Sequence, residues 1–336
     1  MLMKKVFFGL IGLLLLASAP KLSQAQTKYV LDKKIPLPGE GGYDYLSIDK
    51  VNNRLYVSHG TAVNVVDLAS EKVIGTIDGM VGIHGIAIVN KYNKGFISDG
   101  KGTAAIAFNL KTLKKLATIP LTNKDPDAII YDSFSDKVFV FSGDSNNASV
   151  VDPKELKQIA TIDLGGAPEF AVADGKGKIY NNLEDKNSIN VIDTKTFKVD
   201  KNYPIAPCRG PTGLAFDEKN HRLFTAGRTN KGVSVVDAVS GKVITTLPIG
   251  AGVDAVIYEP GSKLIFCSNG DATTTIIKQE SADKYQVIQT LETQIRAKTM
   301  ALDTKTHKLY LSVASFEPGT KKQLPNSFTL LVYKPE

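Results

Sequence analysis

Seven short segments each bring one polar or charged residue into an otherwise similar setting, most of them beside a glycine or proline. They are Gly42-Tyr43-Asp44, Gly82-Ile83-His84, Asp125-Pro126-Asp127, Pro168-Glu169, Gly210-Pro211-Thr212, Gly252-Val253-Asp254 and Ala297-Lys298. The set comprises four carboxylates, one imidazole, one hydroxyl and one ammonium. Carboxylates gathered in a narrow space repel one another, which raises their pKa values or invites a cation. Asp44, Asp127 and Glu169 are therefore candidate ligands for a divalent metal. Their hard oxygens suit calcium, magnesium or manganese, and His84 extends the choice to zinc. Lys298 neighbours both Asp254 and Asp44 in the implied ring and can neutralise that side. A solvated polar mouth, an organic or peptidic ligand and a bound metal all remain open. If a metal polarised a carbonyl and His84 acted as general base, the same set would serve a hydrolase or lyase on a lactone-like substrate.

Such residues converge only if the fold repeats with them, and it does. The plainest copy of the repeat is His221 to Gly250, HRLFTAGRTNKGVSVVDAVSGKVITTLPIG. A Val-Val-Asp landmark occurs at Val65-Val66-Asp67, Val150-Val151-Asp152, Val191-Ile192-Asp193 and Val235-Val236-Asp237. Degenerate copies stand at Ala107-Phe108-Asn109, Ile276-Ile277-Lys278 and Leu331-Val332-Tyr333. In the preceding strand a bulky residue recurs at Tyr56, Phe96, Phe139, Tyr180, Phe224, Ile265 and Tyr310, at gaps of 40, 43, 41, 44, 41 and 45 residues. A period of about 40–45 residues holding four short strands is that of a β-propeller blade. One blade cannot bury both faces of its sheet, so the copies must stack around an axis.

The expected fold is all-β, a seven-bladed propeller of four-stranded antiparallel blades. The last copy has only three strands before the chain stops. Its fourth is expected from the N-terminal stretch Lys28 to Leu37, which matches the KVITTLPIG phrase and would close the ring without a long free edge.

The funnel around the axis is the default ligand site of such a fold. Besides the seven ring residues, the loops on that face contribute His59, Arg209, Asp271, Arg228 and Asn269. His221 and His307 fall in tight turns on the opposite face, where no function is expected. The last repeat carries an insertion, Ala314 to Asn326, longer than its counterparts by about a dozen residues, expected as a lid or docking arm over the funnel or as a tolerated insertion. Cys208 and Cys267 are expected in or near loops on the funnel face. An oxidising compartment permits a bridge between them, but their spacing does not establish one.

Residues 1–25 read as a secretory signal peptide, with Lys4 and Lys5, an apolar run from Val6 to Ala17, and Ser23-Gln24-Ala25 before Gln26. The expected mature chain, 26–336, is one propeller domain working in the periplasm or beyond, with no membrane span. The net charge of +7 falls to +4 once that segment is removed, leaving 38 basic against 34 acidic residues. Lysines recur in the turns before the outer strands, at Lys72, Lys114, Lys157, Lys198 and Lys242, as a repeated solvated turn would place them. No nucleic-acid partner is expected. There is no haem-attachment, zinc-protease, nucleophile-elbow or P-loop motif. With no tryptophan, aromatic docking must use Tyr and Phe.

The stretch RLFTAGRTNKGVSVVDAVSGKVITTLPIGAGVDAV resembles the YVTN β-propeller repeat, and the signal segment is similar to that of YncE-like secreted propellers. The resemblance spans residues 28 to 336 and departs from the consensus where the Asn-Gly turn is kept only loosely, as in Ser268-Asn269-Gly270. It implies a monomeric binding or scaffolding protein for a small ligand or protein partner. Related propellers include lactone hydrolases, antibiotic-opening lyases and haem-binding nitrite-reductase domains, and none of their catalytic signatures is present.

Overall fold

The computed structural model describes residues 28–320 and 322–336; the expected signal peptide lies outside the described residues. Twenty-eight strands form seven antiparallel four-stranded sheets around one axis. From the axis outward, the strands of blades 1 to 6 follow one another in sequence. The innermost are Tyr43–Asp49, Ile83–Val89, Pro126–Asp132, Pro168–Ala173, Pro211–Asp217, Val253–Glu259 and Met300–Asp303, in blades 1 to 7. Blade 7 is completed by the N-terminal strand Tyr29–Pro36, which pairs with Thr329–Pro335 in a register running from Tyr29 opposite Pro335 to Pro36 opposite Thr329. The seven-bladed ring and its N-terminal closure thus stand as expected. Among the described residues no helix is long and apolar enough to cross a membrane.

The Val-Val-Asp landmark has a physical reading. Successive side chains of a strand point to opposite faces, and each blade is buried on both. Val65 accordingly packs towards blade 2, with Ile97 and Ile106, while Val66 packs towards blade 7, with Tyr310 and Leu330. The bulky landmark residues fill the same layers: Tyr56, Phe96, Phe139, Phe224 and Tyr310 are fully or almost fully buried. The Asp that follows caps the turn to the outermost strand. Asp193 Oδ1 accepts the backbone N–H groups of Lys195 and Thr196, and Asp237 Oδ1 those of Val239 and Ser240. Its other oxygen meets a basic residue at the start of the second strand, as in Lys178–Asp193 at 2.9 Å and Arg222–Asp237 at 2.6 Å.

Polar contacts pin the closing strand. Gln289, on the outermost strand of blade 6, accepts from the Tyr29 backbone N–H and donates to the Tyr29 carbonyl, both at 2.8 Å. The Tyr29 hydroxyl donates to the His307 carbonyl at 2.9 Å. Lys308 joins Asp32 of this strand to Glu71 of blade 1.

Candidate functional site at the channel mouth

The innermost strands do not pair evenly with their neighbours. In blades 1 to 6 the register slips at the same place, between Tyr43 and Leu46, Ile83 and Ile86, Pro126 and Ile129, Pro168 and Ala171, Pro211 and Leu214, and Val253 and Ala255. Each slip is a bulge, and a bulge re-aims the side chains it contains. Asp44, His84, Asp127, Glu169, Thr212 and Asp254 all sit inside one. Buried hydroxyls and amides then hold the backbone of these positions. Thr299 donates to the Asp44 carbonyl at 2.7 Å, Asn181 to that of Glu169 at 3.0 Å and Asn182 to that of Thr212 at 2.8 Å, while Ser98 and Ser268 serve Asp127 and Lys298.

On one side of the mouth, His84 Nδ1 donates to Asp44 Oδ2 at 2.9 Å and stands 3.6 Å from Asp127 Oδ1. That Asp127 oxygen is screened from solvent and accepts no hydrogen bond. Burial disfavours charge on His84, yet the bond to Asp44 and the nearby charges of Asp127, Asp44 and Asp125 outweigh it and raise the imidazole to about 9. The expected general base is therefore an imidazolium at neutral pH. Burial, with the Asp44 charge, pushes Asp127 up to about 7 against the pull of His84. Burial also pushes Glu169 up to about 9, opposed by Arg228 and aided by Asp127, Glu184 and Asp254. Donor atoms of Asp44, His84 and Asp127 all lie within 4.8 Å of one another. Of the expected arc of Asp44, His84, Asp127 and Glu169, the first three come together, and Glu169 is not part of that group.

The other side is cationic. Asp254, with only 6% of its side chain exposed, pairs with both Lys298 and Arg228, and Arg228 also reaches Glu184 at 3.0 Å. Beside this knot opens a pocket of about 750 Å³ lined by Arg228, Lys298, Arg296, Tyr43, Phe316 and Asp271, together with several backbone glycines. Phe316 comes from the insertion in the last blade, which folds back on itself through a bridge between Phe316 and Gln323. The Arg296 guanidinium lies over the Phe316 ring, 4.0 Å from its centre. The insertion therefore flanks the mouth, as a lid or docking arm would. Tyr45 and Phe170 meet with ring centres 4.6 Å apart, although they belong to blades 1 and 4, and so narrow the channel.

Several expected contacts lie elsewhere. Thr212 is fully buried and its hydroxyl donates to the Val253 carbonyl, so it fastens blade 5 to blade 6 rather than facing the funnel. His59 is buried beneath Gly39, whose backbone at φ +111° passes so close that a β-carbon there would fall 2.1 Å from the imidazole. It packs on Phe328 and is no funnel contact. Asp271 does reach the pocket, with Oδ2 accepting the Ala251 N–H at 2.6 Å. Arg209 is exposed, and its backbone N–H is held by Asn230. Cys267 lies within the strand Leu264–Asn269 rather than in a loop, and both thiols are buried and free. The sequence reading missed Tyr45, Phe170, Tyr43 and Arg296. Tyr45 and Phe170 carried a signal, because the residue following each ring position is otherwise small or a threonine.

The three raised pKa values carry a sign. Each group binds protons in the folded state that the unfolded chain has released at the same pH. Their stabilising contribution is complete below their ordinary values of 3.8, 4.5 and 6.5 and is lost as pH rises through about 7 and 9. The melting temperature is expected to fall between about pH 4.5 and 9, and Glu169→Gln should flatten that fall. A melting temperature level across this range in the native protein would contradict the arrangement.

No family model matches the chain. The antigen Lp49 of Leptospira interrogans serogroup Icterohaemorrhagiae serovar copenhageni (strain Fiocruz L1-130) is 24% identical over 191 residues, which is 54% of this chain and 41% of the antigen. The match thus spans less than half of that relative. A chain in the crystal structure of the mitotic checkpoint complex superposes with a TM-score of 0.75 at 15% identity, covering 99% of this chain and 98% of that one. At that identity the likeness establishes the seven-bladed fold alone.

Proposed function

We propose that the protein is a secreted or periplasmic propeller of the YVTN-repeat, YncE-like kind that binds a small ligand or a partner segment at its funnel face without transforming it. The observation that carries this reading is the pocket of about 750 Å³, whose lining brings Arg228, Lys298 and Arg296 together with Tyr43 and Phe316, the Arg296 guanidinium lying over the Phe316 ring. Concave sites with an apolar wall and a few convergent polar groups are the usual form of a ligand site. Cations beside aromatic rings suit an organic anion with a flat apolar part. The hydrolase or lyase alternative needs a free base, and the bond from His84 to Asp44 leaves that imidazole charged instead.

Thermal unfolding against a panel of aromatic carboxylates and short peptides tests the proposal. A ligand that binds only the folded state, present at about a hundred times its Kd, adds about 2.7 kcal/mol, which for a domain of this size raises Tm by about 4 °C. The shift should disappear in Arg296→Ala and Lys298→Ala. A panel that leaves Tm unmoved, or a shift indifferent to both substitutions, would count against the pocket.

A further inference from the structure

On the side of the mouth away from that pocket, we propose that Asp44, His84 and Asp127 form a three-ligand site for a divalent transition-type ion of the zinc class, with His84 as a direct ligand. Two distances carry the inference. Ligands bound at about 2.1 Å and set at tetrahedral or right angles lie about 3.0–3.4 Å apart. His84 Nδ1 stands 2.9 Å from Asp44 Oδ2 and 3.6 Å from Asp127 Oδ1, each within about 0.2 Å of that interval, and the ion would displace the proton that Nδ1 now donates to Asp44. All three donor atoms fall within 4.8 Å of one another.

An independent observation points to a missing partner. Asp127 Oδ1 is shut off from solvent and receives no hydrogen bond, although its carboxylate faces the same imidazole nitrogen. A buried carboxylate oxygen left so is costly, and an ion held by the three groups would satisfy it. The donor chemistry decides the class. One imidazole and two carboxylates supply only three protein ligands, as in open zinc sites, whereas calcium takes six to eight oxygens.

The site is rigid on the protein side. The Asp44 and Asp127 carbonyls are tied by Thr299 and Ser98, and the Ser98 hydroxyl also accepts the Gly85 N–H next to His84. Gly100 leaves room for the ring: a β-carbon there would fall 2.9 Å from His84 Nε2 and 2.8 Å from Asp125 Oδ1. None of the three ligands lines the cationic pocket, so the two proposals stand or fall separately.

Calorimetric titration of Zn²⁺ into the chelator-treated protein tests the assignment, with Ca²⁺ and Mg²⁺ as comparators. One Zn²⁺ per chain is expected, bound more tightly than either comparator. Loss of an outer-shell partner alone costs about 10–100-fold in metal affinity, so His84→Gln and Asp127→Asn should each weaken binding by at least about tenfold. His221→Gln, which removes an exposed imidazole on the opposite face, should change nothing. Gly100→Ala keeps all three donors but crowds the His84 ring and should also weaken binding. Should a ligand variant fail to fold, the visible spectrum of Co²⁺ added to the native protein still decides: bands of a low-coordinate nitrogen–oxygen site support the assignment. The absence of saturable Zn²⁺ binding, or of those Co²⁺ bands, or affinity unchanged in His84→Gln, would overturn it.

Discussion

A chain lacking residues 28–37 is expected to lose cooperative unfolding and to self-associate. Tyr29, Ile35 and Leu37 are 2%, 8% and 5% exposed and pack into two different inter-blade layers. At about 2 kcal/mol for each buried side chain, their loss alone approaches the whole stability of an ordinary domain, about 5–15 kcal/mol. Hydrogen bonding adds to this, since the strand pairs along Thr329–Pro335 and is clamped by Gln289. Its removal uncovers the edge of Thr329–Pro335, whose Leu330, Leu331, Val332 and Tyr333 are buried in the closed ring. An uncovered apolar edge is a template for pairing with another chain. Urea unfolding and size-exclusion chromatography would show the effect, and a synthetic peptide of residues 28–37 should restore the elution volume of the intact protein. An unfolding midpoint equal to that of the intact protein would show that the ring does not depend on this lock.

The second large effect is expected at Asp254. One nearly buried carboxylate there neutralises Lys298 and Arg228, each 39% exposed. Removing one partner of a buried pair costs about 3–5 kcal/mol because it strands the other charge. Here two cations are stranded side by side, but their partial exposure lets water and salt screen them, so Asp254→Asn should cost about 2–3 kcal/mol. Stability measured by urea unfolding should recover partly at high salt, which screens the repulsion. It should also recover when Lys298→Met accompanies Asp254→Asn, since a single cation then remains with Glu184 near it. A loss under about 0.5 kcal/mol, within the range of ordinary surface substitutions, would mean that the knot contributes nothing to the fold.

These two effects differ in how far they could be read before folding. The closing strand was legible because KYVLDKKIPL matches the KVITTLPIG phrase of an outer strand, and because the last copy lacks its own. The Asp254 knot was legible only in part. The alignment of repeats placed Asp254 and Lys298 in one ring, but Arg228 came from a loop, where nothing set it above His59, Arg209 or Asp271. Thr212 shows the limit from the other side. It occupies a ring position by alignment, yet its hydroxyl finds the Val253 carbonyl and turns away from the funnel. His59, likewise placed by its loop, is covered by Gly39 from the connection between the closing strand and the innermost strand of blade 1.

The residue order by itself determined the blade count, the closure of the ring by the N-terminal strand and the equivalence of the seven innermost strands, because periodic burial on both faces of each sheet leaves a periodic record in the chain. The tertiary structure alone decided which of the seven positions at the mouth act together. His84 between Asp44 and Asp127, Asp254 between Arg228 and Lys298, and Tyr45 against Phe170 are contacts between blades, made by residues 26 to 125 positions apart. Whether each polar group faces the axis or a neighbouring carbonyl depends on the partner the closed ring brings within reach of the bulge that holds it, and that partner leaves no periodic mark in the sequence.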